Sequence, residues 1–364
     1  MHKTLIALAA LLAASPALPQ ASAAIAAGKA QPSPLAPSEI VAAAPKADWT
    51  GIAQSDLLVM DLAPPAQGPG QASAKGKPRR VVIQLMPAPF SQGWIGNIRK
   101  LAAARFWDGT AVNRVQDNYV VQWGDPDAED KLKAKKLPEG LAVMPESEYE
   151  TPFDLVYDGN DAIPTDPYMW PNFPPFDSYL NELTDKPGMS GYTAFSKGWP
   201  VGAETDPRTP PPATTPAHVP GGKMWPVHCY GMVGVGRDLS PNTGTGAELY
   251  VVIGHAPRHL DRNIALVGRV IEGIEHLSSL PRGHGALGFY DLAQGDERTG
   301  IQSIRLGGEV KDLPAFEYLS TESGSFSAYA DARANRRDAF FIRPAGGADV
   351  CNVPVPVRRS TGSR

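Results

Sequence analysis

One arginine stands where a permanent charge is hard to keep. Arg114 lies in the run Ala-Val-Asn-Arg-Val, among residues that favour strands, and Gln122 follows Val120 and Val121 in a second run of the same kind. A guanidinium keeps its proton in a protein and offers five N–H donors at fixed angles, whereas a glutamine amide both donates and accepts. Such a pair can stabilise an electron pair that localises during a reaction, yet it is unsuited to taking or giving a proton. Other chemistries lack their residues. His228, His255 and His259 are near one another in sequence, but no HExxH, no paired cysteines and no carboxylate at ligand spacing accompany them. They read as loop or packing histidines, and no metal site is assigned. No GxSxG elbow is present for serine hydrolysis. Gly68-Pro-Gly70 and Gly244-Thr-Gly246 are not followed by the Lys-Ser/Thr of a phosphate loop.

The elements that must hold this pair are short strands and two helices. Residues 57–62 and 80–85 are β-prone runs separated by the Gly/Pro/Ala/Lys-rich segment 63–79, read as an elongated loop. Between 90 and 106, Trp94, Ile98, Leu101 and Ala102 follow helical spacing with Ser91 placed to cap the start. Further strands are expected at 111–116, 119–123, 231–236, 248–253 and 301–306. A second helical pattern runs through Val270, Ile271, Ile274 and Leu277 and stops before Pro281. Strand alternation puts Val120 and Gln122 on one face, with Tyr119 at the strand entrance.

Two ordered blocks carry a family resemblance. Residues 106–125 read FWDGTAVNRVQDNYVVQWGD, and residues 231–270 read GMVGVGRDLSPNTGTGAELYVVIGHAPRHLDRNIALVGRV. The first resembles the central motif of cyclophilin-type peptidyl-prolyl cis/trans isomerases, and the second resembles the family's segment from GM through PNT to LD and GRV. The resemblance covers roughly 55–125 and 226–310. It implies a mainly β fold, a closed antiparallel barrel capped by two helices, and an enzyme without a cofactor that accelerates X-Pro rotation in polypeptides. Rotation about that bond is opposed by a barrier of about 18–20 kcal/mol because the nitrogen lone pair is delocalised. In the twisted amide the lone pair returns to nitrogen, and a donor beside it favours the transition state over the planar ground state. The resemblance makes Arg114 that donor and Gln122 the residue that holds it. It places Tyr119, Val120, Glu248, Tyr250, His259 and Leu260 around the substrate. Tyr119 stands for the usual Phe, Val120 for Met, Trp123 for a common Gly, Tyr250 for Phe, Glu248 for Gln and Ile264 for a frequent His. The alternative reading is a binding or chaperone module of low or no activity on the same fold, working through an insertion at 126–227.

The remainder of the chain bounds the setting. The chain has 364 residues, 42% hydrophobic and 20% charged, with a net charge of −4. That is a globular composition without the basic field that nucleic acid or an anionic membrane would require. His2 and Lys3, an apolar run from Leu5 to Ala14 and the small residues Ala21-Ser22-Ala23 have the layout of a secretory leader, here 1–23, too short to span a bilayer. The expected product is a periplasmic or secreted bacterial protein, monomeric and not inserted in a membrane after cleavage. Residues 24–48 read as a flexible linker, 49–310 as the domain and 311–364 as an extension packed on the barrel with a frayed end from 355. The insertion at 126–227 carries Trp170, Phe173, Phe176, Tyr179 and Trp199, with a proline tract at 207–220. It is expected to pack through its aromatics, the alternative being a partner-binding arm. Cys229 and Cys351 are the two cysteines. An oxidising compartment would let them pair, and otherwise they would be small buried hydrophobes.

Overall fold

The computed structural model describes residues 34–64, 79–152, 192–203 and 222–360. The leader, most of the loop at 63–79, Trp170, Phe173, Phe176, Tyr179 and the proline tract at 207–220 lie outside the described residues.

The strands, in chain order, are β1 (Trp49–Ile52), β2 (Leu57–Leu62), β3 (Arg79–Leu85), β4 (Ala111–Val115), β5 (Val120–Gly124), β6 (Thr151–Pro152), β7 (Tyr192–Ser196), β8 (Trp199–Ala203), β9 (Lys223–Pro226), β10 (Met232–Val235), β11 (Leu249–Val252), β12 (Leu266–Glu272), β13 (Ile301–Leu306), β14 (Phe316–Leu319) and β15 (Val357–Arg359). Eight of them form one sheet in the order β13-β2-β3-β12-β10-β11-β5-β4. The two edges meet: Ala111 bridges Gly300, the Val112 amide donates to the Thr299 carbonyl at 2.9 Å, and the Ile301 amide donates to the Thr110 carbonyl at 2.8 Å. Arg305 grips both carboxylate oxygens of Asp108 at 2.6 Å, which ties the aromatic-Asp-Gly turn to β13 across the seam. Closure of this kind removes exposed edges.

Burial follows the pleat. On β2, Leu58, Met60 and Leu62 face the main core, while Leu57 and Val59 join Val82, Leu313 and Phe316 in a second cluster outside the barrel. The three-stranded sheet β1-β14-β15 supplies Ile52 and Phe316 to that cluster. Each fully buried Leu or Val there contributes roughly 1.5–3 kcal/mol relative to exposure.

The helices are α1 (Pro37–Ala43), α2 (Gln92–Ala103), α3 (Glu275–Ser278) and α4 (Gly324–Ala334). Trp94, Ile95, Ile98, Leu101 and Ala102 form the buried stripe of α2. Its polar atoms clamp the loop before β11: Trp94 Nε1 donates to the Thr243 carbonyl at 3.0 Å, and Asn97 Nδ2 to the Thr245 carbonyl at 3.0 Å. Ser91 makes no side-chain cap and sits in the left-handed region at φ 54°. Where a second long helix was expected, Val270 and Glu272 instead continue β12 against Ile83 and Val82. Only the single turn of α3 is helical, because the β-branched pair Val270-Ile271 suits the sheet and Gly273, at φ +84°, breaks the chain direction.

Order also begins earlier than the expected linker boundary. Pro37 opens α1, the Ala36 amide donates to Glu39 Oε2 at 2.7 Å, and the helix packs on α4 with Ile40 and Val41 against the main core. The tail likewise does not fray from 355, since β15 pairs with β14. In the insertion, β6, β9, β8 and β7 make a four-stranded sheet whose Trp199, Val201 and Trp225 are buried in the main core. Among the described residues no helix is long and apolar enough to cross a membrane.

Candidate active site

Neighbouring strands line up the residues singled out above. Gln122 on β5 is flanked by Arg114 on β4 and Tyr250 on β11, and Val252 pairs with Val120 one step along. Alternation sends Val121 and Trp123 into the main core and leaves Val120 and Gln122 on the opposite face. The indole of Trp123 is therefore inside the barrel and does not obstruct that face.

Arg114 is half-buried. Its Nε–H donates to the Leu287 carbonyl at 2.7 Å and Nη1 to Gln122 Oε1 at 3.1 Å, with Nη2 to Gln116 Oε1 as a third bond. Tyr119 and Phe289 lie 5.6 and 5.4 Å from its guanidinium carbon. Burial lowers its pKa, offset in part by Tyr119 and Glu248, and the group stays cationic. Gln122 accepts the Arg114 bond through its carbonyl oxygen, which turns its amide nitrogen away from the cation. Burial raises the pKa of Glu248, and the Gln122 bond acts against it.

Beside this fork, Val120, Tyr250 and Val252 form an apolar cluster with Tyr119 and Ile264 at its margin. Tyr250 is its floor. Gly234 crosses directly beneath, and a Cβ there would fall 2.3 Å from the Tyr250 hydroxyl, so only glycine fits. That hydroxyl donates to His228 Nε2 at 2.8 Å, and His228 Nδ1 meets Asp261 Oδ1 at 2.8 Å. Asp261 also accepts from the His228 amide at 2.9 Å and pairs with Arg258. Burial depresses the His228 pKa against the pull of Asp261, which keeps the imidazole neutral as an acceptor for Tyr250.

The structure brings together Arg114, Gln122, Tyr119, Val120, Glu248 and Tyr250. His259 is exposed at the rim, its ring stacked on Tyr119 at 6.4 Å. Leu260 is half-buried in the turn Arg258–Leu260 and stands outside the apolar cluster. His255 is exposed, and no cluster of His, Cys, Asp or Glu that could hold a metal occurs among the described residues. Cys229 and Cys351 are joined in a disulfide. Sequence reasoning missed the Tyr250–His228–Asp261 relay, Gln116 and the Leu287 carbonyl. Residues 287 and 289 reach Arg114 only through the fold, whereas His228 differed from the other histidines in lying next to a cysteine.

The sequence profile of cyclophilin type peptidyl-prolyl cis-trans isomerases matches residues 80–288, more than half of the chain. The chain belongs to this family of enzymes. Its fold is similar to that of the cyclophilin AquaCyp293 from Hirschia baltica, at 20% identity and a TM-score of 0.55, over 86% of this chain and 95% of that one. A cyclophilin type isomerase of Cryptosporidium parvum, crystallised in the presence of the dipeptide Ala-Pro, gives 10% identity and a TM-score of 0.31, over 62% of this chain and 92% of that one. Comparison with curated proteins gave no match.

Proposed function

We propose that this protein accelerates X-Pro rotation in exported polypeptides, without a cofactor, with Arg114 as the donor to the imide nitrogen. The observation that carries this reading is the placement of a half-buried guanidinium, locked by Leu287, Gln122 and Gln116, at the margin of an apolar cluster floored by Tyr250. Those three bonds leave part of the five-donor fork to address a substrate. As the amide twists, its nitrogen gains electron density, and a donor fixed beforehand costs no reorganisation. Val120, Val252, Tyr119 and Tyr250 exclude water from the proline ring, which sharpens the charge interaction. Gln122 keeps one N–H for the substrate backbone.

Export is supported by the leader-like layout of 1–23 and by the disulfide, which persists in oxidising compartments. We read the protein as a periplasmic or secreted monomer. The alternative, a binding module of little turnover, draws support from Ile264, an aliphatic side chain at the slot where relatives frequently carry a histidine. A protease-coupled assay on a prolyl peptide distinguishes them. Wild type is expected to exceed the uncatalysed rate and Arg114→Ala to fall back to it. Identical background rates for both proteins would favour the binding module.

A further inference from the structure

Residues 335–349 run from α4 to the tail without forming a helix or a strand. A connection of that length in a compact fold is uncommon unless it has a task. Both ends are anchored. Before it, Phe326, Tyr329, Ala330 and Ala334 of α4 lie in the main core; after it, Val350 and Val353 do, beside the Cys229–Cys351 bridge. The loop is also tied within itself. Asn335 Oδ1 accepts from the Gly346 amide at 3.1 Å across its base, and the Phe341 amide donates to the Asp338 carbonyl at 2.9 Å at its far end. Arg336 pairs with Asp338 and lies 4.5 Å over the Phe341 ring.

What this loop presents is apolar. Phe340, Phe341 and Ile342 follow one another at its tip, with Phe340 82% and Ile342 95% exposed. Single exposed apolar residues are ordinary, but three consecutive large ones on a loop held in shape mark a contact surface. Cations bracket them. The loop holds Arg336, Arg337 and Arg343 against Asp338 and Asp349. Asp338 is committed to Arg336, and Asp349 faces Arg258 at 3.8 Å at the base. Within the loop no carboxylate is left for Arg337 and Arg343, which stand exposed on either side of the apolar run. Apolar side chains flanked by arginines match the boundary between acyl chains and anionic headgroups, where the apolar groups enter and guanidinium meets phosphate. These cations are local. The chain as a whole has a net charge of −4, so holding an anionic surface requires the apolar tip together with its arginines.

We propose that the loop 335–349 docks this protein on the surface of an anionic lipid bilayer, with Phe340 and Ile342 entering the interface and Arg337 and Arg343 on the headgroups. The inference is independent of turnover at the Arg114 slot. Flotation of the full chain with vesicles of phosphatidylcholine, and with vesicles of phosphatidylcholine and phosphatidylglycerol in equal parts, tests it. Binding is expected to be at least about tenfold stronger on the anionic vesicles and to weaken as salt rises. Phe340→Ser combined with Ile342→Ser should lower that binding at least about tenfold. Arg337→Gln combined with Arg343→Gln should bring the two vesicle types within about threefold of each other. Both pairs lie on the surface, so the thermal melt and prolyl-peptide turnover without vesicles should match wild type. Tryptophan emission added by Ile342→Trp should shift to the blue on the anionic vesicles alone. No binding, equal affinity for the two vesicle types, or full binding by the Phe340 and Ile342 double variant would each overturn the proposal. So would self-association in vesicle-free solution that this double variant abolishes, which would assign the tip to a second copy of the chain.

Discussion

Replacing Arg114 by lysine keeps the charge and removes the fork, so it isolates what geometry contributes. The guanidinium holds three bonds at once, to the Leu287 carbonyl at 2.7 Å, to Gln122 at 3.1 Å and to Gln116. An ammonium on a flexible four-carbon stem cannot reproduce three directions in one plane. Each lost bond at a half-exposed site costs about 1 kcal/mol, partly regained from water, so the fold should weaken by only about 1–2 kcal/mol. The transition state suffers more. Loss of one preorganised donor typically costs about 2.7–4 kcal/mol, or roughly 10²–10³ in rate. Gln122 and Gln116 would also be released, loosening the site further. The assay is protease-coupled hydrolysis of a prolyl peptide near 10 °C, where uncatalysed rotation takes about minutes. A thermal melt confirms that the variant is folded. Retention of kcat/KM within about threefold of wild type, with an unchanged melt, would show that charge alone suffices and refute the argument.

Four further outcomes are expected. Tyr250→Phe strands the His228 ring nitrogen in a buried position, and thermal or urea unfolding should show a loss of about 1–3 kcal/mol. His228 has a folded pKa below its ordinary value because of burial, whereas the unfolded chain takes up a proton near about 6.5. Stability should therefore be full above that pH and decline as pH falls below it, by at most about 1.4 kcal/mol per unit from this group, and His228→Gln should flatten the slope in urea melts across that range. Cys351→Ser should cost about 2–5 kcal/mol in the melt, since the bridge spans 122 residues, and added reductant should then have no further effect on the variant. Gly234→Ala places a Cβ 2.3 Å from the Tyr250 hydroxyl, and calorimetry should register destabilisation beyond about 1 kcal/mol with a raised KM for the peptide.

The strands were legible because their apolar residues alternate or run short between Gly, Pro and Asn. The Ile301–Leu306 and Leu57–Leu62 limits fall where the pattern places them. The Arg114-Gln122 pairing was legible for the same reason, being a local hairpin relation. Three features were not. The segment Val270–Leu277 has helical spacing, but pairing with β3 and the turn at Gly273 decide its form, and neither is visible locally. The helix α1 looks like a tether until α4 is present to cover Ile40 and Val41. The Tyr250–His228–Asp261 relay joins residues whose spacing follows no motif, and only the curvature of the barrel brings the ring and the carboxylate to 2.8 Å. Leu260 illustrates the converse: an apolar residue placed by resemblance alone stands apart from the cluster.

The family match at 80–288 stops short of what the barrel requires. Two of its eight staves, β2 and β13, come from residues 57–62 and 301–306, and they hydrogen-bond to each other. A fragment trimmed to the matched region would leave β3 and β4 with raw edges and the inner faces of Leu58 and Ile304 unfilled. It would invite strand-to-strand sticking between molecules. Anyone shortening this protein for study should cut outside both staves, and the hoop formed by the Cys229–Cys351 bridge argues for keeping the tail through residue 359 as well.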